Sequence, residues 1–548
     1  MKTTHALTRR TVLATGTVAS AGALALAACG GDDKRETGRA TTAAGTAAAG
    51  AQQPPRKGGT LKAGQVTDLD FNSGHPLVVL PQNYWSLHAT FEPLVRYRNS
   101  LSPELVLADR YELNADRTKL VISLKPGANF HDGSPVTPED VFFGIDLMLE
   151  PQKFGVTGAF QLAAFAKMIA EKKKVDARTM EFTFDKPRVN ITDFFAQMMI
   201  TRAATFSDLR LGKNVQGTGP YMFESWTPKQ SMRLKPNPNW HLTAQEGGPY
   251  LDAIELKLFA DVDALGLSVE SGEVEMALGA VPSVAKRFKD KGMTRVAPRR
   301  GLLYCGCNVT NPMLKDKRVR QALFLAIDRK RFTDEIGEGF GTVSVQPWPT
   351  TSPAYDKALD APFYDPTKAK DLLKQAGFTQ DRPLKIEYSS AGGGAVEQAL
   401  KQNFEVIGVK IDLVPTEGNA FTAKFRARQL TDLWTSLTGF ADLIPLTNFQ
   451  QTFPFQVPDA KGQGGNIGYY DAPEYLDIVA KLETMDPLSP QAKEQYARFS
   501  KLWLDDPWLF PYQGREEIHI ISDKLQNTQE LFVTPTGSPN WGKVWKKT

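Results

Sequence analysis

Catalysis needs nucleophiles, bases, acids or metal ligands held close together, and here those residue types are scattered. The six histidines (His5, His75, His88, His131, His241, His519) stand far apart, and none belongs to a His-Glu-x-x-His pair of the kind that holds zinc. No Gly-x-Ser-x-Gly elbow occurs. Ser389-Ser390-Ala391-Gly392-Gly393-Gly394 falls between a predicted strand and a predicted helix, where backbone N–H groups can cradle a phosphate. It lacks both the G-x-G-x-x-G spacing and a Walker lysine, so it reads as a flexible turn. The acid pairs Asp32-Asp33 and Asp505-Asp506 read as surface rather than as a glycosidase couple. Cys305 and Cys307 lie in Leu302-Leu303-Tyr304-Cys305-Gly306-Cys307-Asn308, a predicted buried strand. Alternate Cα atoms on a strand are about 6.6 Å apart, so a bridge needs a kink, which Gly306 permits. Two buried thiols is the favoured reading, and two cysteines without a nearby histidine make a poor zinc site. The expectation is no enzyme, no metal and no cofactor.

The third cysteine has a different context. Leu26-Ala27-Ala28-Cys29 closes an apolar leader and resembles the small-residue box of bacterial lipoproteins, in which the thiol is acylated and the cysteine becomes residue one. Upstream, Thr8-Arg9-Arg10-Thr11-Val12-Leu13 resembles a twin-arginine export signal. A membrane span wants about 20 strongly apolar residues, and residues 11–28 are too short and too mild for one. A disulfide role would need Cys29 to sit in folded structure, and its flanks read as linker. Residues 1–29 are thus expected to be a signal, 30–56 a disordered Gly/Ala/Thr tether closed by Pro54-Pro55, and the body an extracytoplasmic protein lipid-anchored through Cys29.

The elements that must position any site come from the remaining chain. At 548 residues two or three domains are expected, and 41% hydrophobic content is ample for packed cores. The formal charge of +4 resides wholly in residues 1–56, leaving 58 charges of each sign on the body. A neutral body has no electrostatic footprint for nucleic acid. Period-2 patterns predict strands at 58–64, 119–124, 179–184, 219–223, 231–235, 254–259, 274–278, 509–512 and 517–521. Helical patterns fall at 83–97, 316–332, 366–376, 473–484 and 490–505, and Thr137 caps another beginning at Pro138-Glu139-Asp140. Residues 385–388, 395–407 and 409–414 form a strand-helix-strand unit of α/β type.

Five stretches in series carry a family resemblance over about residues 58–545. Glu92-Pro93-Leu94-Val95-Arg96-Tyr97 and the run from Leu124-Lys125-Pro126-Gly127 through His131-Asp132-Gly133 to Pro138-Glu139-Asp140-Val141 come first. Gly217-Thr218-Gly219-Pro220-Tyr221 with Asn237-Pro238-Asn239-Trp240 follows. Asn308 with Asp316-Lys317-Arg318-Val319-Arg320-Gln321-Ala322-Leu323, then Tyr364-Asp365-Pro366 to Ala376-Gly377, complete the set. Together they resemble the family-5 extracellular solute-binding proteins, the dipeptide, oligopeptide and nickel-binding group of ABC importers. The resemblance implies an α/β, two-lobed clamp of type II with three domains, one of them discontinuous. Domain I would take residues 57–90, 210–298 and 506–548, domain II 91–209 and domain III 299–505. Asp132-Gly133 reads as a turn.

The family fixes a charged ligand end with an aspartate in a Gly-Trp-x-Ala-Asp-Tyr-x-Asp-Pro stretch. The matching residues are Thr438-Gly439-Phe440-Ala441-Asp442-Leu443-Ile444-Pro445, without the tryptophan, the tyrosine or the second acid. Asp442 is accordingly a candidate ligand contact, with a capping or surface role as the alternative. His75, Tyr84 and Trp85 occupy the position of the first ligand-contacting loop, with a core role open for Trp85. Tyr304 aligns near an aromatic strand, and Trp434 and Phe440 are candidate walls. The implied function is a monomeric solute receptor that delivers cargo to a permease and ATPase. Peptide is the first choice, ahead of oligosaccharide, another small solute or a nickel chelate. A secreted hydrolase and a non-transport sensor are the rival readings.

Overall fold

The computed structural model describes residues 5–6, 54–66, 68, 88–98, 101–156, 160, 162–350, 352–359, 363–390, 393–440, 444–451, 454–458, 465–531 and 540–547. Cys29, the export motif and most of the tether therefore lie outside the described residues. A ten-stranded mixed sheet forms the spine. From edge to edge its strands are Ile411–Thr416, Leu384–Ser389, Leu433–Phe440, Thr294–Cys307, Leu509–Ile521, Met276–Ala280, Thr60–Gln65, Ala253–Leu258, Ser231–Pro236 and Tyr221–Thr227. A five-stranded antiparallel sheet stands beside it, with Ala108–Leu113, Lys119–Leu124, Thr179–Phe184 and Ile169–Lys174 in that order and the dipeptide His5–Ala6 on its edge.

Local chemistry explains these elements. In Thr179–Phe184, Met180, Phe182 and Phe184 are buried and their neighbours are not, the alternation of a half-buried strand. The helix Pro138–Leu149 opens with proline, and Thr137 donates its backbone N–H to Asp140 Oδ2 at 3.0 Å. Asp365 Oδ1 accepts from Lys368 N at 2.8 Å to start Pro366–Gln375, and Gly377 at φ +61° follows its end.

Two large clusters dominate the core. One cluster includes Leu61, Leu120, Phe182, Phe194 and Trp240; the other gathers Trp348, Phe449, Tyr475, Phe499, Trp503 and Trp508. Within the second, the Tyr470 and Trp508 rings stack at 4.1 Å. The chain passes between these lobes in two antiparallel strands, Thr294–Cys307 and Leu509–Ile521, whose register slips between Ala297 and Arg300 and again between Leu303 and Tyr304. Cys305 and Cys307 are free and buried; burial pushes the Cys307 thiol up to about 12 and the Cys305 thiol well above its usual range.

The lobes meet a second time, away from those strands. Asn190 Nδ2 donates to Thr447 Oγ1 and Gln450 Oε1, both at 2.8 Å. Asp193 Oδ2 accepts from Ile444 N at 3.2 Å and from the Thr447 hydroxyl, while Tyr97 donates to Oδ1 at 2.9 Å. Val189, next to Asn190, packs into the second lobe's core.

Three expectations are corrected. The helix expected over 83–97 is helical at 88–90, lies outside the described residues at 83–87, and gives way to a strand at Val95–Tyr97. Pro93 lacks an N–H and disfavours helical φ/ψ in the residue before it. The helix expected over 316–332 ends at Ala326, and the chain turns extended at Ile327 (ψ 115°) before restarting at Arg329. Asn403 Oδ1 accepts the Asp328 N–H at 2.7 Å across that break. The strands expected at 509–512 and 517–521 are one, Leu509–Ile521.

Candidate functional site

A cavity of about 550 Å³ lies where the two linking strands leave the first lobe. The first lobe contributes Gln65 and Leu278–Pro282, where a strand ends and the next helix begins; the second contributes Leu303, Leu437 and Phe340. Gln513 to Ile518, on a linking strand, run through it. Its walls are therefore mostly aliphatic, with a guanidinium (Arg515), two carboxylates (Glu516, Glu517) and two carboxamides set among them.

Local geometry fixes those polar groups. Gln513 Nε2 donates to Phe340 O at 2.7 Å, and Gly341 N donates to Glu516 Oε2 at 3.0 Å. Gly514 and Thr342 exchange backbone bonds of 2.7 and 3.1 Å, a close approach that only glycine permits, since a Cβ on Gly514 would sit 2.1 Å from Thr342 Oγ1. Gly279, at φ +72°, turns the first-lobe wall and donates its N–H to His519 Nδ1 at 3.2 Å. His519 is fully buried, and burial lowers its pKa to about 3, so it accepts as a neutral imidazole. An apolar concavity with a few convergent charges and hydrogen-bonding groups can capture a small polar solute, its carboxylate on Arg515 and its ammonium on the glutamates.

The sequence-derived candidates fall unevenly on this geometry. Tyr304 and Trp434 are fully buried and are not in the cavity wall. Leu303 pairs with Leu437 and Tyr304 with Ser436, so alternation sends Leu303 and Leu437 into the cavity and turns Tyr304 and Trp434 to the opposite face. Trp434 there fills the space over Gly306, where a Cβ would lie 2.5 Å from the indole. The Phe440 backbone pairs with Arg300 at the end of its strand. Asp442, His75, Tyr84 and Trp85 lie outside the described residues. Sequence reasoning missed the run from Gln513 to Ile518. Its signal was the polar stretch between the strands expected at 509–512 and 517–521.

Known proteins match this arrangement. The model of bacterial extracellular solute-binding proteins, family 5 (middle), fits residues 102–455. The glutathione-binding protein GsiB of Pectobacterium atrosepticum is 27% identical over 449 residues, covering 78% of this chain and 83% of that protein. The oligopeptide-binding protein AppA of Bacillus subtilis is 23% identical over 490 residues, covering 84% and 87%. The periplasmic binding protein DppA of Helicobacter pylori, solved in complex with peptide STSA, superposes with a TM-score of 0.75 at 19% identity over 90% of this chain and 99% of that one. With more than half its length matched by the family model, the two-lobed chain belongs to the family-5 extracellular solute-binding proteins, the substrate-binding components of ABC importers.

Proposed function

We propose that the chain captures a short peptide between its lobes and presents it to a membrane permease. The observation that carries this reading is the interlobe cavity of about 550 Å³, in which Arg515 and the glutamates Glu516 and Glu517 supply both charge signs a zwitterion needs within an aliphatic wall. That volume lies in the usual range for small-ligand sites. The names of the relatives, glutathione-binding and oligopeptide-binding, support the same class. Ligand shifts the open–closed balance only by its preference for the closed form, and no bond in it is made or broken.

His75, Tyr84, Trp85, Phe440 and Asp442 contact the ligand, Asp442 on a charged end. Domain I takes residues 57–90, 210–298 and 506–548, domain II 91–209 and domain III 299–505. The protein is exported by a twin-arginine route, works as a monomer, and is held at the membrane by lipid on Cys29. Native mass spectrometry of protein purified without refolding tests the function. A retained peptide mass, displaced by added tripeptide, is the expected result. A retained sugar or nickel chelate reassigns the cargo, and turnover of added peptide supports the hydrolase instead.

A further inference from the structure

We infer that Asp193 and Asn190 form a clasp that holds the two lobes together, and that they act as positioning residues for ligand capture through the segment Ile444–Gln450. The groups involved are far apart in sequence: Thr447 is 254 residues from Asp193. They are also sealed from water, with Asn190 1%, Asp193 0%, Thr447 3% and Ile444 7% exposed. Asp193 receives two donors from the opposite lobe and one, Tyr97, from its own. In sequence the receiving segment follows soon after the cavity-wall strand Leu433–Phe440, which contributes Leu437 to the cavity. The clasp therefore grips the same stretch of the second lobe that faces the ligand.

Hinge opening about the two linking strands must pull this seam apart, because Asn190 and Asp193 sit on one lobe and Ile444, Thr447 and Gln450 on the other. Among the described residues the seam makes four direct bonds when shut. Against them stands the cost of removing a carboxyl group from water, met here with no cation at hydrogen-bond distance among the described residues. Burial raises Asp193 to about 7 although Thr447, Tyr97 and Ile444 pull the other way, so sealing this carboxyl costs more than its hydrogen bonds return to the charged form. A clasp whose bonds are offset by that desolvation cost leaves room for ligand to decide the outcome. The exposed pairs at the rim, Lys186–Glu483 at 2.6 Å and Arg117–Asp486 at 2.8 Å, are solvated and add little.

The consequence for affinity rests on the solute-binding reading, but the conformational test does not. Thr447→Val removes the hydroxyl at nearly constant shape, and Thr447→Ser keeps it. In the full-length ligand-free chain, Thr447→Val should speed amide exchange across Ile444–Gln450 about tenfold and enlarge the small-angle scattering radius. Exchange in the helix Pro490–Asp505 should be unchanged. Apparent affinity for glutathione or trialanine, the probes used, should fall by about the same factor, and Thr447→Ser should behave as wild type. Unchanged radius and exchange in Thr447→Val overturn the clasp, as does faster exchange spread through the whole second lobe, which marks a packing role only. If neither probe binds wild-type protein, the functional reading fails while scattering and exchange still decide the clasp.

Discussion

At the scale of single residues, the buried histidines set the acid limit of the fold. Burial holds His88 and His519 at about 3 and His131 at about 4, against 6.5 for the free side chain. His131 is pinned neutral, with Nδ1 accepting from Gly217 N at 3.3 Å and Nε2 facing Gly219 O at 3.1 Å. Between 6.5 and those depressed values the unfolded chain binds protons that the native one refuses. The histidine contribution to stability is therefore complete above pH 6.5 and falls as pH drops, by up to about 1.4 kcal/mol per histidine per pH unit. Urea unfolding at pH 7.5, 5.5 and 4.5 measures this, and a flat profile contradicts it. The motif around these groups was legible because its reason is steric: a Cβ on Gly217 would lie 1.9 Å from Thr90 O. The turn at Asp132-Gly133 was legible too, with Ser134 N donating to Asp132 Oδ1 at 3.0 Å and Gly133 at φ +84°. Tyr304 and Trp434 lie off the cavity wall, and an aromatic on a strand looks the same in sequence whether it faces a cavity or a core; the choice of face depends on register, which the sequence alone does not display.

At the scale of elements, capped helices and alternating strands were readable because their signals lie within a few residues. The polar stretch Gln513-Gly514-Arg515-Glu516 misled for a physical reason. A strand that borders a cavity carries polar groups where a core strand carries aliphatic ones, so the ladder continues although the pattern stops. The neighbouring linking strand is tight where it passes Trp434. Gly306→Ala should cost about 1–3 kcal/mol through overpacking against the indole, and pairing it with Trp434→Leu should return part of that loss. Urea titration of both variants checks it; a neutral Gly306→Ala shows that the sheet gives way freely there.

At the scale of the whole molecule, the meeting of the lobes was invisible beforehand, since contacts across some 250 residues leave no local pattern. That seam gives closure its own pH dependence. Asp193 sits near 7 when sealed and returns toward its ordinary 3.8 when the lobes part. The shut form thus holds a proton that the open form has released between about 4 and 7. Closure is strongest below that window, weakens as pH climbs through it and levels off above 7. The facing phenols of Tyr97, Tyr111 and Tyr496 are all raised by burial and stay neutral throughout. Scattering radii from pH 4.5 to 8 should grow for wild type and stay constant for Asp193→Asn; identical profiles contradict the assignment. One sheet shared by both halves adds a mechanical consequence. A single tether would let the halves wander, whereas two pins lying side by side, each faulted at the same rungs, leave one axis to swing about, so every release returns the jaws to the alignment in which they first shut.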